Sequence, residues 1–124
     1  AGSSTALSAD GNVVAVGATA YDYTNDGNEG RVQVFDYTGG SWVQRGSDLS
    51  GGQAGAQAGS STALSADGNV VAVGAYLYNN TNNYNAGRVQ VHTISRISLS
   101  MSQLLSKWYD NAEIPFLLVG NVSY

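Results

Sequence analysis

The sequence has no cysteine, one proline and one histidine in 124 residues. Without Cys there is no disulfide staple, no thiolate zinc site and no thiol catalysis. Charge is scarce as well. Asp, Glu, Lys and Arg together make up 11%, far below the roughly 25% of an average globular chain. Solubility must rest on Ser, Thr, Asn, Gln and Gly, a surface common among secreted β-proteins. Basic residues are the scarcer sign, five against nine acidic, for a net charge of −4. Residues 1–57 carry the whole excess, with two Arg against five Asp and one Glu. Phosphate binding demands clustered Lys and Arg, so nucleic acid and anionic membrane are argued against as partners. No apolar run approaches the ~18 residues of a membrane helix, so membrane insertion is not expected. The chain starts at Ala1 without a Met or a signal-like segment, and is expected to be an internal piece of a longer product.

What is present is a repeat. AGSSTALSADGNVVAVGA at 1–18 recurs unchanged at 58–75, an offset of 57 residues. The register holds through a divergent loop to GRVQV, at 30–34 and 87–91, with 27 identities over 34 aligned positions. A tandem duplication of this period points to stacked or radial repeats. SSTALS and VVAVGA flank a turn at Asp10-Gly11-Asn12, and the Gly that closes VVAVGA allows a close backbone approach. RVQVFDY alternates, placing Val32 and Val34 on one face and Arg31, Gln33 and Phe35 on the other. Thr38-Gly39-Gly40-Ser41 is a hairpin signal, and SWVQRG follows as a fourth strand that Trp42 is expected to anchor. SGGQAGAQAG links to the next unit. The expected fold is mainly β: a partial β-propeller of four-stranded antiparallel blades with a C-terminal helix and strand. The expected divisions are 1–57, a first repeat, 58–91, a partial second, and 92–124, a divergent tail.

LSADGNVVAVGA, GRVQVFDYTGGSWVQRGSDL and their spacing resemble the FG-GAP-type repeats of integrin-like β-propellers, and more narrowly the tandem forms of bacterial and algal surface proteins. The resemblance covers residues 1–91. It implies a four-stranded blade, an extracellular or cell-surface setting and a binding or adhesive role, and it supplies no catalytic residues. A ring needs roughly four to eight blades, so further repeats of a longer chain, or self-association, are expected.

Repeats of that type often hold Ca²⁺ in a D-x-D-x-D-G loop. The corresponding Ser8-Ala9-Asp10-Gly11 keeps one carboxylate, too few for a cation that wants six to eight oxygens, so a turn is expected. A better candidate is DYTNDGN, where Asp22, Thr24 and Asp26 alternate ahead of Gly27. The acid six residues beyond that Gly is missing, and Glu29 substitutes only if the loop folds back. The second copy has Asn79, Thr81 and Asn83, then Tyr84 in place of Gly27. Calcium is therefore the minority reading and a solvated turn the majority one. For a glycan, Tyr76, Tyr78 and Tyr84 offer flat faces for stacking on sugar rings beside amide groups, against the blander reading of a surface loop. Asn79-Asn80-Thr81 and Asn121-Val122-Ser123 match the glycosylation sequon. His92 occupies the position of Phe35, and no Gly-x-Ser-x-Gly elbow marks a nucleophile for it.

After Val91 the repeat ends inside a strand. Ser100 is placed to cap a helix over about 100–111, with Met101, Leu104, Leu105 and Trp108 on one stripe. Pro115 precedes an apolar run predicted as a strand over about 114–119. SKWYDNAEIPFLLVGN resembles the helix and strand before the guanine-recognition loop of Ras-like small GTPases. There Val122 and Tyr124 replace the Lys and Asp that would read guanine, and no phosphate-binding loop exists, so no GTP binding follows. Three origins stay open: a frame or joining event, a C-terminal cap, or a shuffled junction. The leading expectation is a non-enzymatic repeat fragment with no cofactor, taking a protein or glycan ligand. A calcium- or carbohydrate-binding module is the alternative, and a chimeric product without function of its own comes after it.

Overall fold

A computed structural model describes residues 1–23 and 27–94. It is mainly β, with antiparallel sheets and no helix among the described residues. The predicted helix over about 100–111 and the strand over about 114–119 lie outside the described residues, as do Thr24 and Asp26. The compact unit that holds the sheets runs from Ala1 to Ile94.

The first repeat forms β1 (Ser4–Leu7), β2 (Val13–Ala18), β3 (Arg31–Thr38) and β4 (Ser41–Gln44), hydrogen-bonded in that order. A two-residue β5 (Leu49–Ser50) pairs with the start of β3 beyond the end of β4. Gly39 and Gly40 both take positive φ, 58° and 84°. That is the backbone a two-residue hairpin needs to match the twist of its strands. The second repeat forms β6 (Ala58–Leu64), β7 (Val70–Ala75) and β8 (Arg88–Thr93), again in sequential antiparallel order.

The sequence change after Val91 does not end its strand. His92 pairs with Val71 and Thr93 with Val70, as Phe35 pairs with Val14 and Asp36 with Val13. Ile94 N–H donates to Asn69 O at 2.8 Å, the counterpart of Tyr37 N–H to Asn12 O, also 2.8 Å. A ladder built from backbone groups tolerates new side chains so long as they suit a pleated strand.

The core lies between the two sheets. Val13, Ala15, Val32 and Val34 come from the first repeat; Val71, Val73 and Ala75 come from the second. Ala56 and Ala58, at the end of the linker, join them. At Gly17 the backbones nearly touch: a Cβ there would lie 2.3 Å from Gly59 O. The closing Gly of VVAVGA thus permits the close approach its place in the sequence predicts. Trp42 departs from expectation. It pairs with Tyr37 across the hairpin, on the face opposite Val32 and Val34, and is 48% exposed. It packs on the Tyr37 ring, centroids 5.3 Å apart, and does not anchor β4 in the core.

Candidate functional site

The β2–β3 loop (19–30) and the β7–β8 loop (76–87) are the two copies of the segment where the repeats diverge most. Both are held by the linker. Gly55 N–H donates to Gly27 O at 2.7 Å, Gln57 N–H to Asn28 O at 3.0 Å, and Ala58 N–H to Glu29 O at 3.1 Å. Gln53 brackets the second loop: its Oε1 accepts from Asn79 N–H at 2.6 Å, and its Nε2 donates to Asn79 O at 3.1 Å.

Within each loop one side-chain oxygen closes the bend. Asp22 Oδ1 accepts from Asn28 N–H; Asn79 Oδ1 accepts from Asn85 N–H at 2.7 Å. Asn28 and Asn85 sit at φ 50° and 54°, in the left-handed region that Asn tolerates better than most residues. The job common to Asp22 and Asn79 is to accept a backbone N–H, which needs an oxygen and no charge. This explains why the carboxylate of one copy is an amide in the other. Glu29 does fold back, but its Oε1 accepts from Gly52 N–H at 3.2 Å. No group of three or more His, Cys, Asp or Glu residues suited to a metal occurs among the described residues.

The tyrosines divide. Tyr21 and its copy Tyr78 each lie under an arginine, with Arg31 Cζ 3.7 Å and Arg88 Cζ 3.9 Å from the ring centroids. One face of Tyr78 is therefore occupied by a cation–π contact, and its ring also packs against the core. Tyr76 and Tyr84 are open to solvent, 57% and 91% exposed. Beside Tyr84 a hollow of about 210 Å³ is lined by Asn79, Asn80, Thr81, Asn82 and Asn83. Asn80 Oδ1 already accepts from Asn82 and Asn83 N–H, at 3.0 and 2.7 Å. His92 is half-buried on β8.

Two polar clusters carry no motif in the sequence. Asp48 gathers Arg31 Nη1 (2.7 Å), Gln44 Nε2 (2.7 Å), Gln33 Nε2 (2.9 Å) and the Tyr23 hydroxyl (3.1 Å). Burial works to raise the Asp48 carboxyl, but the bonds from Gln44, Gln33, Arg31 and Tyr23 outweigh it and hold it below the usual range. Desolvation, with the Asp48 carboxylate beside it, pushes the Tyr23 hydroxyl up to about 12. The second cluster joins the repeats. Arg45, 2% exposed, grips Asp36 through both Nε (2.7 Å) and Nη2, while its Nη1 donates to Gly68 O at 2.7 Å. The hairpin register was the available signal. Asp36 opposite Val43 puts Arg45, two residues on, beside the same carboxylate.

No family model and no curated protein matches the chain. No helix among the described residues is long and apolar enough to cross a membrane.

Proposed function

We propose that this chain is a non-enzymatic repeat fragment of a secreted or surface β-propeller of the FG-GAP type, with a role in binding or adhesion. One observation supports the reading best. Successive copies of one sequence form successive antiparallel sheets that stack face to face, the relation between neighbouring blades. In such an array the strands are scaffold and the divergent loops carry specificity. The loops at 19–30 and 76–87 fit that role, sharing four identities in the eleven residues before the Gly, while VVAVGA before them and GRVQV after them are identical in the two copies.

Immobilised full-length chain, probed with a glycan array and a panel of extracellular-matrix proteins, tests the reading. Saturable binding weakened by exchanging the two loop sequences supports it. Turnover of ester, glycoside or phosphate substrates by the purified chain would overturn it. A carbohydrate-binding module is favoured over a calcium module as the second reading, because Tyr76 and Tyr84 present open rings beside amides. Tyr84→Ala should then reduce glycan binding at least about tenfold, as expected for a stacked ring. Calcium titration separates the two modules: a signal that Asp22→Ala abolishes would favour the calcium reading instead.

A further inference from the structure

The VVAVGA strand of each sheet is apolar on both faces, and the two copies bury opposite ones. In the first repeat Val13, Ala15, Val32 and Val34 are at most 1% exposed. Of their counterparts in the second repeat, Val70 is 36%, Val89 70% and Val91 67% exposed, and Ala72 is half-buried. The opposite face reverses the pattern. Val71 and Val73 of the second repeat are 0% and 4% exposed, whereas Val14 and Val16 of the first are only half-buried. Leu64 packs against the core while its copy Leu7 is 61% exposed. The molecule therefore contains one complete joint between a forward face and a rear face. It also leaves a second forward face, around Val89 and Val91, and a second rear face, around Thr5 and Leu7.

We propose that these open faces are one interface in two halves: the rear face of one chain docks on the forward face of a second copy, head to tail. The template is inside the chain: Val70, Ala72, Val89 and Val91 copy Val13, Ala15, Val32 and Val34, and Leu7, Val14 and Val16 copy Leu64, Val71 and Val73, while Tyr37 stands where Ile94 joins the internal core. Charge does not oppose it. Ala63, Val70, Ala72, Val89 and Val91 carry none, and Arg31 on the rear face is paired with Asp48. An exposed apolar face bordered by polar loops is a surface that needs covering. The interface is heterologous, so copies add in one direction and form a closed ring or an open fibre according to their rotation. It is weaker than the internal joint, because no linker holds the partner close. The inference needs only the face-to-face stacking, not the propeller reading.

Sedimentation velocity of the full chain over a range of concentrations tests it, with two double variants at exposed positions. Val89→Lys/Val91→Lys blocks the forward face, and Thr5→Lys/Leu7→Lys blocks the rear. The parent should gain mass with concentration, and each variant alone should be monomeric at every concentration. Mixed one to one, the two variants should form a heterodimer and nothing larger, because each retains the half the other lacks. A parent monomeric throughout overturns the proposal. So does a forward-blocked variant that still associates, which would mean pairing by an edge or by two rear faces, or a mixture that stays monomeric. Circular dichroism checks that the variants fold. Should the lysines unfold the chain, Val89→Thr/Val91→Thr serves instead and should weaken association at least about tenfold.

Discussion

VVAVGA occurs twice, as β2 and as β7, and the same six letters meet different surroundings. In β2 the first and third residues are buried and the second and fourth half-open; in β7 the first is open and the second and fourth are buried. Local structure is common to both. Ser8 Oγ donates to Asp10 Oδ1 at 2.7 Å and accepts from Val13 N–H at 3.1 Å. Ser65, Asp67 and Val70 repeat the arrangement at 2.7 and 3.0 Å. Turn, strand and register are therefore written in the repeat, while burial is set by which sheet stands alongside. A strand apolar on both faces suits a stack, in which each sheet has two neighbours.

The contrast is tested most severely at the joint. Arg45→Ala leaves Asp36 buried without its guanidinium partner and releases Gly68 O. Loss of one member of a buried pair costs about 3–5 kcal/mol, and chemical denaturation should show it as a collapse of the midpoint. The second repeat has Thr93 where the first has Asp36, so this buried carboxylate has no counterpart there. Replacing both members with apolar residues of similar size, as in Asp36→Leu/Arg45→Met, should recover much of the loss.

Glycine gives the next contrast. A Cβ on Gly17 would meet Gly59 O at 2.3 Å and Ser4 Oγ at 2.4 Å. On Gly74 the near obstacle at 2.2 Å is the Ser61 hydroxyl, which can rotate away. Gly17→Ala should destabilise by about 3 kcal/mol, the upper range for overpacking, and Gly74→Ala by much less. Val32→Ala and Val89→Ala follow. The first empties a site that is 0% exposed and should cost about 2 kcal/mol. The second trims a side chain that is 70% exposed and should stay within about 0.5 kcal/mol. Equal losses at the paired sites would mean that the second repeat also has a neighbour on its forward face.

Much of this fold is legible from residues alone. The alternation of RVQVFDY places Val32 and Val34 together, and Thr38-Gly39-Gly40-Ser41 gives the hairpin. The copied GRVQV fixes a second β3-like strand in β8. What single repeats conceal is how they meet. Trp42 looks like an anchor because large aromatics favour burial, yet its register partner Tyr37 turns it to the open face. Arg45 looks like a surface charge because lone arginines rarely lie buried. Only the hairpin register and the following repeat give it partners: Asp36 from the first, Gly68 O and Asn69 Oδ1 from the second. Among candidate ligand residues, the Asp22-to-Asn79 replacement argued against a required cation. Nothing in the letters shows that Arg88 covers Tyr78 while Tyr76 and Tyr84 stay open.

The smallest expected effect concerns what the copies share. Asp10 and Asp67 each accept a backbone N–H, from Asn12 and Asn69, and then a Ser hydroxyl, and these bonds hold both carboxyls below their ordinary value of 3.8. A carboxyl depressed in the folded state adds stability above its unfolded value and loses it as pH falls through the folded one. Thermal unfolding followed from about pH 5 down to pH 2 should therefore steepen in the acid range. Asp10→Asn or Asp67→Asn keeps an acceptor for both bonds but removes the titration, so each should flatten the acid limb by a similar small amount. Asp48, also depressed and belonging to the first repeat alone, leaves some slope in the double variant. Unequal flattening by the two single variants would show that the turns are not interchangeable, and that stacking at the joint, where Ala9 N–H donates to Ala66 O at 3.0 Å, reaches into local structure.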